Sequence, residues 1–141
     1  MKNKFFRYIF FLIFFSQSIL YANEFKIESS EINVQDKGNL IKAKNGVKIS
    51  SNDGMEISSD ELVYNKEKEV LAIYGNVKIN DKKNNIFTEG EEYIYYKKKE
   101  IIESIGKSNS NIKNNFSIES FDLTFDRNIS QIYSQKKTKI E

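Results

Sequence analysis

Four acidic side chains, Glu31, Glu61, Glu92 and Asp122, occupy equivalent places along the chain, and three consecutive lysines, Lys97, Lys98 and Lys99, follow the third of them. Carboxylates in pairs serve as acid and base or bind calcium, and lysines meet phosphate. A residue that recurs once per repeat on the turn side usually belongs to a solvated face, and no asymmetric carboxylate pair stands out here. The Gly-x-Gly-x-Asp pattern of a calcium β-roll is absent as well. The lysine run reads as the solvated end of a hairpin, with contact to phosphate groups as the sharper alternative. The chain has no histidine and no cysteine. The commonest general base and metal ligand is therefore missing, and disulfides, thiolate catalysis and cysteine-based zinc sites are excluded. No glycine-rich loop ending in Lys-Ser/Thr is present to bind ATP. These residues predict a protein that is not an enzyme and needs no cofactor or metal.

What would have to position these side chains is a set of short strands. Four segments superimpose at a spacing of about 30 residues: Phe25 to Val34, Met55 to Tyr64, Ile86 to Tyr95 and Phe116 to Phe125. Each carries an apolar pair two apart, a five-residue step, and a second pair two apart. Phe25 and Ile27 precede Ile32 and Val34; Met55 and Ile57 precede Leu62 and Tyr64; Phe116 and Ile118 precede Leu123 and Phe125. The third copy is looser, with Ile86 and Thr88 before Tyr93 and Tyr95. Between them stand Ile41 with Ala43 and Val47 with Ile49, then Leu71 with Ile73 and Val77 with Ile79. The later counterparts are weaker: Ser104, Ser108 and Ser110 fall at inward positions, which fits either a wet opening or local disorder.

A period of two is the strand period, and no helical stripe follows the N-terminal segment, so the remainder reads as all-β. The odd step inverts side-chain parity. A bend or bulge is therefore expected near Ser58-Ser59 and its equivalents, turning both apolar pairs toward one interior. The polar stretches 65–69, 96–100 and 126–130 read as hairpin ends. The units would stack into a quasi-one-dimensional array with one continuous apolar strip, as a sandwich, a jelly roll or an open trough.

Ahead of the strands, Lys2, Lys4 and Arg7 precede the apolar run Tyr8 to Phe15, followed by Leu20-Tyr21-Ala22. This predicts a secretory signal peptide over residues 1–22 and a domain over 23–141 that ends in mid-repeat, an uncleaved anchor being the alternative. Removing residues 1–22 takes away three of 22 basic side chains and none of 20 acidic ones, leaving a net charge of −1. Such a chain has no basic excess for nucleic acid.

The segment Gly54 to Asp81, with its Tyr64-Asn65-Lys66-Glu67-Lys68 turn and its Gly75-Asn76-Val77 triplet, resembles the OstA-like lipopolysaccharide-transport family. That family comprises the periplasmic bridge protein LptA and the N-terminal domain of the outer-membrane protein LptD. Asn45-Gly46-Val47 is a permuted echo of the triplet, and Gly106 keeps the glycine alone. The resemblance spans Phe25 to Ile140 and implies an open β-jelly roll with two facing sheets, whose apolar trough holds the acyl chains of lipopolysaccharide. The implied lining is Ile41, Ala43, Val47, Ile49, Met55, Ile57, Leu62, Tyr64, Leu71, Ile73, Val77, Ile79, Tyr93, Tyr95, Phe116, Ile118, Leu123 and Phe125.

The implied location is the periplasm, with outer-membrane association for an LptD-like member; the implied partners are lipopolysaccharide and other lipopolysaccharide-transport proteins. Proline, a common blocker of open edges, is absent. The terminal strands around Phe25 to Val34 and Ile132 to Ile140 are expected to pair with a neighbour's sheet, including head-to-tail self-assembly. Ending at Glu141, the chain fits either a short LptA-like bridge or the N-terminal piece of an LptD-like protein. The rival class is an exported structural or polysaccharide-binding β-solenoid, which would carry its aromatics on the outer face. Here Tyr64, Tyr93, Tyr95, Phe116 and Phe125 fall at inward positions.

Overall fold

The structure is a computed structural model that describes residues 25–113 and 115–141. The expected signal peptide therefore lies outside the described residues. Among the described residues, regular structure consists of strands and two one-turn 3-10 segments, and no helix is long and apolar enough to cross a membrane.

Five long strands form the body: β3 (Leu40–Ser50), β4 (Met55–Asn65), β5 (Val70–Asp81), β6 (Ile86–Tyr96) and β7 (Ile101–Ile112). They pair antiparallel in chain order, as short hairpin turns require. Before them come β1 (Lys26–Glu28) and β2 (Glu31–Gln35), which both pair with β3, one along each end of it. After them come β8 (Phe116–Phe121) and β9 (Thr124–Asp126), which both pair with β7, then β10 (Gln131–Tyr133) on β9 and β11 (Thr138–Ile140) on β8. The turns at 66–69, 97–100 and 127–130 fall where the polar stretches predicted them.

Every long strand changes register near its middle. The pairing shifts between Lys44 and Val47, between Ser58 and Glu61, between Tyr74 and Val77, and between Gly90 and Glu92. At each shift β3, β5 or β7 carries one residue more than its neighbour, which is a β-bulge, and the bulges line up across the sheet. The extra residues take left-handed backbone: Asn45 has φ +64° and Gly46 +83°, Gly75 has +73° and Asn76 +48°, and Gly106 has +84°. The Gly-Asn and Asn-Gly pairs are thus the residue types that this conformation favours. At Gly75 space is also short, since a Cβ there would stand 2.5 Å from the Asp60 carboxylate.

This aligned row of bulges is a fold line. It divides one 11-stranded sheet into two halves, so the two expected layers are a single continuous sheet bent back on itself. The first half contains β1, residues 47–50, 55–59, 77–81, 86–90 and 107–112, β8 and β11. The second contains β2, residues 40–44, 61–65, 70–74, 92–96 and 101–105, β9 and β10. The result is an open β-jelly roll, all-β as the alternation predicts. Strands β3 to β7 are 11 or 12 residues long. Laid flat, such strands would hold their ends roughly 35–40 Å apart. Yet residues at opposite ends touch, as described below, so the lips of the two halves meet.

Candidate functional site

The space between the halves is lined by the residues that point inward on either side of the fold line. On β4 these are Met55, Ile57 and Ser59, then Leu62 and Tyr64, with the parity inversion at Asp60-Glu61, next to the expected Ser58-Ser59 bend. Ala43, Val47, Ile49, Met55, Ile57, Leu62, Tyr64, Leu71, Ile73, Val77, Ile79, Tyr93, Tyr95, Ile118, Leu123 and Phe125 are all buried, the most exposed of them at 8%. Most of them pack into one contiguous apolar cluster. Ile41 packs against that cluster half-buried.

Phe116 departs from the expectation, with 56% of its surface exposed. It opens β8 beside the lip, where it pairs with Ile112. The facing strands β9 and β10 have three residues each, too short to cover it. Ile86 and Ile102, absent from the expected lining, are buried in the cluster.

Toward the C-terminal end the lining changes from methyl groups to hydroxyls. Thr88, Ser104, Ser108, Ser110 and Ser120 are all buried, which corrects the expectation of a wet opening or local disorder. They satisfy one another: Ser110 donates to Thr88 Oγ1 at 2.7 Å, Tyr93 Oη lies 2.7 Å from the same oxygen, and Ser104 and Ser108 are 2.9 Å apart. Ser104 also accepts the Leu123 N–H at 2.8 Å. Burial pushes the Tyr93 phenol up to about 12, against the opposing effect of hydrogen bonds with Thr88 and Ser108.

The recurring acidic residues lie beside the fold line, none of them buried, and two of the four also bond to the bulge on the neighbouring strand. Glu31 accepts from Asn45 Nδ2 at 3.3 Å and Asp122 from the Gly106 N–H at 3.0 Å; Asp60, next to Glu61, accepts from Asn76 Nδ2 at 2.7 Å. Glu61 faces Lys44 at 3.4 Å, both in solvent.

At the lips the structure holds an ion cluster built around Arg127, a residue of the polar stretch 126–130 that reads as a hairpin end. Arg127, one residue beyond β9 on the second half, has a side chain only 2% exposed. Its Nε donates to Asp81 Oδ2 at 2.6 Å and its Nη2 to Asp53 Oδ2 at 2.7 Å, and both acceptors belong to the first half. Its Nη1 donates to Glu100 and, at 2.9 Å, to Tyr95 Oη, both on the second half. Desolvation disfavours the Arg127 charge, but hydrogen bonds to Asp81 and Asp53 outweigh it and hold the guanidinium firmly protonated. Asp53 is likewise disfavoured by desolvation, yet donors from Ser51 and Arg127 hold its carboxyl below the ordinary value. Burial is the main cause that raises the Tyr95 phenol. A signal was present in the sequence: Asp81 continues the inward series Val77, Ile79, and Arg127 continues Leu123, Phe125, so opposite charges stand at inward positions of two strands.

Beside this cluster Phe25 of the first half packs edge-on against Tyr64 and Tyr95 of the second, at 5.8 and 5.9 Å between ring centroids. Near it a cavity of about 390 Å³ opens at the N-terminal end, lined by Phe25, Ile27, Ile32, Ile41, Tyr64, Lys66 and Lys97. Lys97, one of the three run lysines, sits with its Nζ 5.3 Å above the Phe25 ring. Lys98 and Lys99 are exposed on the turn. Among the described residues no group of carboxylates is placed to hold a metal ion, and no buried side-chain polar atom lacks a partner.

The family described as OstA-like protein matches residues 13–107. Among solved structures, the crystal structure of LptH from Pseudomonas aeruginosa is similar with a TM-score of 0.72 at 9% sequence identity, covering 84% of this chain and 94% of that one. LptH is described there as the LptA homologous periplasmic component of the conserved lipopolysaccharide transport device. At that identity the likeness is one of fold. No curated protein matches the chain.

Proposed function

Because the chain belongs to the OstA-like family, we propose that it is a periplasmic component of lipopolysaccharide transport whose interior shields acyl chains from water. The observation that carries this reading is the continuous inward strip from Val47 through Val77 to Phe125, enclosed by a sheet that bends but does not close into a barrel. Each methylene of an acyl chain costs about 0.8 kcal/mol to keep in water, so a chain of ordinary length cannot cross an aqueous space unprotected. A groove lined by successive strands offers sites of similar energy along its axis, which lets a chain slide while direction is imposed from elsewhere.

Both ends of the sheet suit pairing with neighbouring lipopolysaccharide-transport proteins or with a second copy. Strand β2 exposes Ile32 and Val34, and β11 exposes Ile140, at 47, 58 and 63% of their surfaces. Apolar side chains on unprotected edge strands favour β-augmentation.

Photo-crosslinking from Ile57, Val77 and Leu123 in the exported protein, with the exposed Lys78 as control, tests the interior. Adducts with lipopolysaccharide at the three inward positions and not at Lys78 are expected. Their absence from all sites in a folded, exported protein would overturn the reading in favour of a structural β-module. One observation favours that rival: the interior is packed shut, with Leu71 and Ile73 at 0% exposure. A conduit of this shape has to open.

A further inference from the structure

We propose that Arg127 is the clasp that shuts the trough, and that the interior becomes accessible from the side when its guanidinium leaves Asp81 and Asp53. The inference rests on the conduit reading for its purpose, though not for its geometry. Arg127 stands on one lip and reaches carboxylates on the other: Asp53 in the turn between β3 and β4, and Asp81 at the far end of β5. A second lip-to-lip bond lies alongside, from Ser130 Oγ to Asn84 Oδ1 at 2.6 Å. Asn84 in turn donates to Asp81 through Nδ2 at 2.8 Å and through its backbone N–H at 3.1 Å. The line of closure is thus polar from Arg127 to Ser130, whereas the interior beneath it is apolar.

That contrast is the argument for a clasp. A permanently closed core gains little from a buried ion cluster, because apolar residues of similar volume usually serve as well or better. A seam that must open gains from one. When the lips part, Asp53, Asp81 and Asn84 meet water on one side, while Arg127 keeps Glu100 and Tyr95 on the other. The groups that part there are polar, so the apolar cost of opening falls on the neighbouring contacts of Phe25 with Tyr64 and Tyr95. The cluster also carries three carboxylates to one guanidinium, so Arg127 is what neutralises the seam: without it, like charges from both lips face each other.

The test uses the full chain, which has no cysteine of its own. Spin labels on Asn52→Cys and Ile129→Cys, one on each lip, report the gap by pulsed electron resonance without any lipid. The expected result is a short, narrow distance distribution with Arg127 present and a longer, broader one in Arg127→Met. Asp53→Asn, at a partly solvated position, should lengthen the distance in the same direction and keeps the test decisive if Arg127→Met does not fold. Lys98→Gln, at an exposed position on the same lip outside the cluster, should leave the distance unchanged. A distribution unmoved by Asp53→Asn, or moved equally by Lys98→Gln, would overturn the clasp.

The second readout is uptake of fluorophore-labelled lipopolysaccharide. A reducible cross-linker between the two engineered cysteines should slow uptake about tenfold or more, and reduction should restore it, since a covalent tie depletes the open population through which the lipid enters. Cross-linked lips that take up the lipid at the uncross-linked rate would overturn the clasp as the way in. If the distances respond as expected and no form takes up lipopolysaccharide, the clasp stands and the conduit reading falls.

Discussion

Gly75 shows how tightly single side chains are constrained at the fold line. Its φ of +73° disfavours any residue with a Cβ, and that Cβ would meet the Asp60 carboxylate at 2.5 Å. Gly75→Ala should therefore destabilise the protein by roughly 1–3 kcal/mol, read as a lower midpoint in urea, whereas the same change at Gly46, with open space around it, should cost less. Tyr93 offers a second residue-level test. Its folded phenol is raised to about 12 from an ordinary value of 10.0, so the neutral form is the one that folding favours. Its contribution is full below pH 10.0 and drains as the pH rises toward about 12. Near-ultraviolet titration should show Tyr93 and Tyr95 ionising after the exposed tyrosines, together with a fall in stability over that window that Tyr93→Phe reduces. The expected lining is also a residue-level matter: it departs from the buried set at Phe116, where the shortness of the strands opposite decides exposure, and by omitting the buried Ile86 and Ile102.

Among the elements, the long strands carry the packing and the short ones carry the edges. Leu62 and Ile73 are cross-strand partners beneath the second half, at 1% and 0% exposure. Ile73→Ala should cost about 2–5 kcal/mol, because rigid neighbours on both flanking strands leave the cavity unfilled. The edges respond differently. Val34→Lys and Ile140→Lys change residues that are exposed already, so the midpoint of unfolding should stay within about 0.5 kcal/mol of the original. Concentration-dependent end-to-end association, followed by light scattering, should nevertheless weaken, as charge on an edge strand disfavours augmentation. The hairpin positions were legible from the polar stretches, and the bend from the odd step in the apolar pairs. That the bends align into one line, with the extra residue always on β3, β5 or β7, depends on inter-strand register.

Across the whole molecule, stability and access meet at Arg127. Removing one partner of a buried ion cluster leaves charge without compensation, and Arg127→Met should lower global stability by about 3–5 kcal/mol. Acid should act on the same cluster through Asp53. Its carboxyl is held below the ordinary 3.8, so its contribution is complete above that value and is lost as the pH falls through the lower folded value. Acid unfolding followed by circular dichroism should then shift toward higher pH in Asp53→Ala, with Asp81, Glu100 and Tyr95 still facing the guanidinium.

The sequence by itself determined the all-β class, the inward and outward faces of the strands and the absence of histidine and cysteine chemistry, because these follow from residue type and a period of two, which are local properties. The tertiary structure decided what a local pattern cannot hold. Asp53, Asp81 and Arg127 are 46 to 74 residues apart in pairing and meet only because the bulges fold the sheet onto itself. The interior serines are likewise dry and bonded rather than wet or disordered, since a hydroxyl's fate depends on whether its partner arrives from a neighbouring strand.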